Sequence, residues 1–179
     1  MRIADEELVS WLGRLRRREV DAVEEFVRVH QSTVESCLRS EALSSNLDAD
    51  AVTESTLSHV LTRVLLGQYE LSEMGQVDRL IAERARTQVR EASRLAFRSA
   101  DSETDILRGP FPRRLADRLI ESFNRVELRI TALQPGDRAL LYDRARGTDW
   151  AELAADRGAP PEVLRRTHAR ILNAILGAA

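Results

Sequence analysis

Apolar residues recur at intervals of three and four positions along almost the whole chain, as they do on the buried face of an α-helix. Aromatic residues make up only 4% of the 179 residues, so any core has to be built mainly from Leu, Val, Ile and Ala. β-Sandwiches draw on β-branched and aromatic residues, and short helices fit this composition better. The pattern predicts an all-α fold of eight helices.

Polar stretches interrupt this periodicity. Residues 44–46 are Ser-Ser-Asn and predict a loop, after which Asp48 or Asp50 is suited to cap a third helix that Gly67 closes. Residues 99–105 are polar, and the Gly-Pro-Phe-Pro run at 109–112 prevents a continuous helix. We therefore predict two small helical bundles, one over 1–98 and one over 114–179, joined by a linker over 99–113.

Several classes of protein are disfavoured by the same sequence. There is no run of eighteen apolar residues and no apolar signal core near the N-terminus, so we expect a cytoplasmic protein with no membrane segment. The single cysteine, Cys37, is expected to be a buried small hydrophobe. The three histidines are far apart, and phosphate loops and nucleophile elbows are missing. We expect no enzyme activity, no metal and no cofactor.

Charge is unevenly distributed. All 27 basic residues are arginine, yet the net charge is −2. Five acids lie between positions 35 and 57, whereas six arginines lie between positions 79 and 98. Because binding to free DNA depends on neutralising phosphates, a slightly acidic chain should bind DNA poorly by itself. If this protein binds DNA, we expect another protein to hold it there.

The most specific local pattern lies between Asp137 and Ile175. Residues 137–146 predict a helix that Gly147 ends in a left-handed conformation. Asp149 and Glu152 have the spacing of a capping box at the start of the next short helix. Residues 158–160, Gly-Ala-Pro, form a turn of the length found in a helix-turn-helix, and a last helix follows.

That last helix has two predicted faces. Its apolar seam consists of Leu164, His168, Ile171 and Ile175, with His168 interpreted as a hydrogen-bonded core histidine. Its other face and its first turn carry the candidate DNA-binding residues Pro161, Glu162, Arg165, Arg166 and Arg170. Arginine reads guanine through two hydrogen bonds and glutamate can accept one from cytosine. Arg170 fits a phosphate contact better. An ordinary three-helix bundle with a basic surface is the alternative.

Three segments of this half, 133–141, 147–154 and 158–166, resemble the fourth conserved region of extracytoplasmic-function (ECF) sigma factors, which binds the upstream promoter element. The N-terminal half is similar to the second region of that family. Residues 47–54 resemble its acidic helix start, and Ala85-Arg86 with the surrounding basic helix resembles its segment for the minus-ten element.

The resemblance implies a sigma factor that gives promoter recognition to bacterial RNA polymerase. It implies core RNA polymerase and promoter DNA as partners, and an anti-sigma protein is common in the family. The implied polymerase-binding residues are Asp48, Asp50 and Glu54. The implied minus-ten contacts are Arg84, Arg86, Thr87 and Arg90.

Two alternatives stay open. Between Gly67 and Arg98 only Tyr69 and Phe97 are aromatic, although melted DNA is usually held by stacking. The chain could therefore be a sigma-like regulator that binds polymerase or another partner without opening promoters. It could also be a stand-alone helix-turn-helix repressor, which would bind two half-sites as a dimer.

Overall fold

The computed structural model describes residues 6–41, 48–96 and 112–176, and every regular element in these ranges is an α-helix. The helices are α1 (Glu6–Arg16), α2 (Val20–Glu41), α3 (Ala49–Leu65), α4 (Gly75–Ala96), α5 (Pro112–Thr131), α6 (Pro135–Ala145), α7 (Trp150–Arg157) and α8 (Pro161–Leu176). The prediction of an all-α fold is confirmed. Within the described ranges, no helix is both long enough and apolar enough to cross a bilayer.

Contacts divide the chain into two compact units. Unit 1 comprises Met1–Val60 and Leu71–Glu121, and unit 2 comprises Leu61–Glu70 and Ser122–Ala179. These boundaries do not coincide with the predicted domains 1–98 and 114–179, because the end of α3 groups with the C-terminal helices. The predicted loop at 44–46 and positions 99–111 of the predicted linker lie outside the described residues.

Unit 1 is centred on the packing of α2 against α4. Phe26, Val34 and Ile81 are buried there, and Cys37 is buried as expected, with its Sγ 3.8 Å from the carbonyl oxygen of Ala82. The buried ring of His30 places Nδ1 2.7 Å from Oδ1 of Asp78. The apolar spacing that predicted these helices therefore corresponds to their buried faces.

Unit 2 has a core made from the inner faces of α5 to α8. Its buried members are Leu66, Val126, Ile130, Leu140, Leu141, Trp150, Leu153, Leu164, Ile171, Leu172 and Ile175. Leu66 joins this core because α3 ends at Leu65 and the chain turns there. Burial of apolar side chains of this kind is the main favourable contribution to folding.

Gly67 makes that turn possible. Its φ is +70°, in the left-handed region that glycine tolerates, and the Gln68 N–H donates to the carbonyl oxygen of Arg63 at 3.0 Å, as in a helix C-cap. A Cβ at position 67 would lie 2.3 Å from the carbonyl oxygen of Arg144 in α6. Glycine is therefore required at position 67 for two reasons: the left-handed backbone conformation and the close approach of the Arg144 carbonyl group.

Candidate nucleic-acid interface

The helix cap and the turn predicted around α7 and α8 are present in the structure. Asp149 caps α7, since its Oδ1 accepts a hydrogen bond from the Ala151 N–H at 2.8 Å. Gly158 ends α7 with φ 61° and ψ 31°, and its N–H donates to the carbonyl oxygen of Ala154. Pro161 then begins α8, where a missing N–H costs nothing. A turn of three residues, 158–160, thus joins the two helices.

α6 begins earlier than the sequence predicted. It spans Pro135–Ala145, where residues 137–146 were expected, and the reason is that proline fits the first turn of a helix. Gly147 has a φ of +92°, and the Thr148 N–H donates to the carbonyl oxygen of Asp143 at 3.0 Å. The prediction of a left-handed residue after this helix is confirmed.

α8 separates an apolar face from a charged one. The predicted seam of Leu164, His168, Ile171 and Ile175 is buried, together with Leu172. Glu162, Arg165, Arg166 and Arg170 are all exposed, and Pro161 is partly exposed. Their spacing of three and four residues places the charged side chains on one side of the helix. The structure therefore brings the upstream-element candidates together, and their role in DNA binding stays a prediction.

His168 is a core histidine whose ring is almost completely buried. Its Nε2 lies 3.0 Å from the carbonyl oxygen of Leu66, which can only accept, so Nε2 carries the proton. The pKa of His168 is lowered to about 4, mainly by burial; the hydrogen bond to Leu66 opposes this effect, and the charges of Arg144 and Arg63 add to it. His168 is therefore neutral at physiological pH.

Trp150 lies between several polar groups of unit 2. The Cζ of Arg144 is 4.2 Å from the centroid of its ring, and the Cζ of Arg165 is 5.8 Å away. The ring of His168 meets it edge-on, with centroids 5.5 Å apart. Both arginines are within the distance at which a cation is attracted to an indole. One of the candidate base-contacting residues thus has a defined neighbour.

Arg144 is a residue that the sequence analysis missed. Only 5% of its surface is exposed, and its guanidinium donates to the carbonyl oxygens of Gly67, at 3.1 Å, and of Thr148. Burial lowers the pKa of Arg144. One signal was available: Arg144 follows Leu140 by four positions and Leu141 by three, which places it on the apolar face of α6.

The minus-ten candidates on α4 divide into two groups. Arg86, Thr87 and Arg90 are exposed, and their spacing places them on one side of the helix. The Thr87 hydroxyl donates to the carbonyl oxygen of Glu83 at 3.0 Å. Arg84 is only partly exposed and lies on another side of α4, so the structure does not bring it together with the other three.

The acidic candidates gather at the start of α3. Asp48 caps the helix, since its Oδ1 accepts from the Ala51 N–H at 3.0 Å, which settles the choice between Asp48 and Asp50 as the cap. Glu54 pairs with Arg118, with Oε2 and Nη1 2.8 Å apart. Burial raises the pKa of Asp50, Asp48 raises it further by charge repulsion, and Arg118 opposes both. Two of the three acids thus already have intramolecular partners.

Within the described part of the chain, no group of three or more His, Cys, Asp or Glu residues is placed to hold a metal ion. Comparison of the chain with protein-family models, with curated proteins and with solved structures found no match.

Proposed function

We propose that this chain is a sigma-type subunit that gives promoter recognition to bacterial RNA polymerase in the cytoplasm and is not itself an enzyme. The observation that carries the proposal is the geometry of α8, where Glu162, Arg165 and Arg166 are exposed in the first turns above a buried seam. In a helix-turn-helix, the N-terminal residues of the second helix contact base edges in the major groove.

The charge of the chain supports a role that depends on a larger partner. A net charge of −2 gives little general attraction to DNA phosphates, so base contacts by α8 need another source of binding energy. Core RNA polymerase would supply it, through the acidic start of α3 with Asp48, Asp50 and Glu54. The exposed Arg86, Thr87 and Arg90 on α4 would contact the minus-ten element.

Transcription with purified core polymerase tests the proposal. The full chain should copurify with the core enzyme, and sequencing of the transcripts should identify a promoter. Arg165→Ala should then lower transcription from that promoter by about tenfold, because a bidentate arginine–guanine contact contributes roughly 1–3 kcal/mol of discrimination. Binding to polymerase should not change.

Arg28→Ala is a matched control, since Arg28 is an exposed arginine on α2 outside all the candidate sites. It should leave both transcription and association unaltered. Unchanged transcription with Arg165→Ala removes Arg165 from the recognition surface. A full chain that does not associate with core polymerase at all contradicts the proposed function.

One observation favours a second candidate, a sigma-like regulator that binds polymerase without opening promoters. The exposed side of α4 formed by Arg86, Thr87 and Arg90 presents charged and hydroxyl groups but no aromatic ring on which an unpaired base could stack. Templates that are fully paired and templates that are pre-opened around the start site distinguish the two functions. Transcripts from pre-opened templates alone would favour the regulator.

A further inference from the structure

The two arginines beside Trp150 are held in different ways. Arg144 is buried, and its hydrogen bonds to the carbonyl oxygens of Gly67 and Thr148 fix its guanidinium within the core of unit 2. Arg165 is exposed, and among the described residues its guanidinium has no hydrogen-bond or ion-pair partner. The ring of Trp150, with its centroid 5.8 Å from the Cζ of Arg165, is therefore the attractive neighbour of this guanidinium among the described residues.

The next residue provides an internal comparison. Arg166 is also exposed on α8, but it makes no such contact with Trp150. Two neighbouring arginines that appear equivalent in the sequence thus differ in one respect, because one is placed against an aromatic ring that is itself 5% exposed and fixed by the core. An arginine side chain loses considerable rotamer freedom when it binds, and restraint before binding lowers that cost.

Arg144 is a second positive charge beside the ring, and it repels Arg165. Glu70 and Asp149 attract the charge of Arg144 more strongly than Arg165 repels it, so this repulsion is the smallest of the three effects. An acceptor-rich base edge or a phosphate beside Arg165 would relieve the repulsion between the two arginines.

We propose that Trp150 is a positioning residue for Arg165, holding its guanidinium in the orientation in which it reads a guanine. This inference rests on the proposed function, since it assumes that α8 reads DNA. It assigns specificity to a buried residue of α7 that does not itself reach the bases. Arg166 is not positioned in this way and contributes without preorganisation.

The contact can be tested in the free protein, without DNA or polymerase. The chain has two tryptophans, so Trp11→Phe leaves Trp150 as the only one. In that background, Arg165→Ala should uncover part of the ring, shift its fluorescence emission to longer wavelength and increase quenching by acrylamide. Arg166→Ala is the matched control and should leave emission and quenching unchanged. Equal effects of the two substitutions overturn the proposal.

The effect on recognition is tested with the full chain and core polymerase on the identified promoter and its single-base variants. Trp150→Phe weakens the cation–π attraction and should reduce discrimination by about two- to fivefold. The reduction should be confined to the base pair that Arg165→Ala stops distinguishing. In the Arg165→Ala background, Trp150→Phe should reduce discrimination no further. Trp150→Tyr, which keeps a larger electron-rich ring, should lose less.

A purely structural role for Trp150 gives a different result. Thermal unfolding of Trp150→Phe would then shift, and transcription from all promoter variants would fall by the same factor, which overturns the proposal. If Arg165→Ala alters the fluorescence of Trp150 but the chain directs no promoter-specific transcription, the contact stands. In that case the role in reading DNA is overturned together with the proposed function.

Discussion

Each unit contains a tryptophan ring that meets a buried histidine edge-on, but the groups around the two pairs differ. In unit 1 the centroids of Trp11 and His30 are 6.4 Å apart, and the histidine faces the carboxylate of Asp78. In unit 2 the centroids of Trp150 and His168 are 5.5 Å apart, and the histidine faces a backbone carbonyl. Similar aromatic packing thus has two electrostatic settings.

The difference affects how easily His30 and His168 can take up a proton. Asp78 favours the protonated form of His30, although burial has the larger effect and lowers the pKa of His30. Around His168 the nearby charges are Arg144 and Arg63, which disfavour a third cation. In unit 2 the uncharged pair of Trp150 and His168 therefore lies beside the buried Arg144. His168 belongs to α8, the helix that we propose reads DNA. The following predictions test whether the two units respond independently.

The largest effect is expected from Gly67→Ala, which should destabilise unit 2 by about 4 kcal/mol. Left-handed backbone costs roughly 1–3 kcal/mol for other residues, and overpacking costs a similar amount. Here the added Cβ would overlap the carbonyl oxygen of Arg144, at 2.3 Å. Urea unfolding followed by Trp150 fluorescence, in the Trp11→Phe background, measures the change in the free energy of unfolding.

Gly158→Ala is the matched control. Its φ is +61°, but a Cβ there would meet nothing within 4 Å, so about 1–2 kcal/mol is expected from the backbone alone. Equal losses for the two variants would show that the close approach to Arg144 contributes nothing. Trp11 fluorescence in a Trp150→Phe background reports the stability of unit 1. If Gly67→Ala lowers the stability of unit 1 as much as that of unit 2, the two units do not unfold independently.

Acid should destabilise unit 2 through His168. Its pKa is about 4 in the folded state against 6.5 in the unfolded state, so above pH 6.5 both states are neutral and stability is unaffected. As the pH falls from 6.5 to 4, the unfolded state binds a proton that the folded state does not. The stability of unit 2 should therefore fall by about 3 kcal/mol over this range.

The measurement is the urea midpoint between pH 7 and pH 4, again from Trp150 in the Trp11→Phe background. His168→Leu should be less stable at pH 7, because the carbonyl oxygen of Leu66 loses its donor. Its stability should nonetheless change less between pH 6.5 and 4, since carboxylates alone then contribute. The same pH dependence in both proteins would rule out His168 as the source.

Much of this fold follows from the sequence, because it depends on local chemistry. Helical spacing predicted the buried seam of α8, including His168, and the capping preference of aspartate predicted the cap of α7. The conformations of Gly67 and Gly147 followed from their positions after helices. Each of these features is determined by residues within a few positions of one another.

What could not be predicted depends on contacts between distant segments. Leu66 belongs to a predicted N-terminal domain, and nothing around it indicates that its carbonyl oxygen meets His168, 102 positions later. The spacing of Arg144 from Leu140 and Leu141 indicates a buried side chain, but nothing near it in the sequence identifies the carbonyl oxygen of Gly67, 77 positions earlier, as its acceptor. The difference between Arg165 and Arg166 likewise arises only when α7 packs on α8.

The smallest effects are expected at the two aspartates that cap helices, Asp48 and Asp149. They separate helix capping by Asp48 from its proposed binding to polymerase. Asp48→Ala in α3 and Asp149→Ala in α7 should each cost about 1 kcal/mol in its own unit, because each removes a hydrogen bond to a free N–H. Asparagine caps as well as aspartate, so Asp48→Asn should unfold at the same urea concentration as the original chain.

If Asp48 also binds polymerase by its charge, Asp48→Asn should weaken copurification with the core enzyme while Asp149→Asn does not. Unweakened copurification of Asp48→Asn would assign Asp48 to capping alone and leave Asp50 and Glu54 as the acids that contact the enzyme.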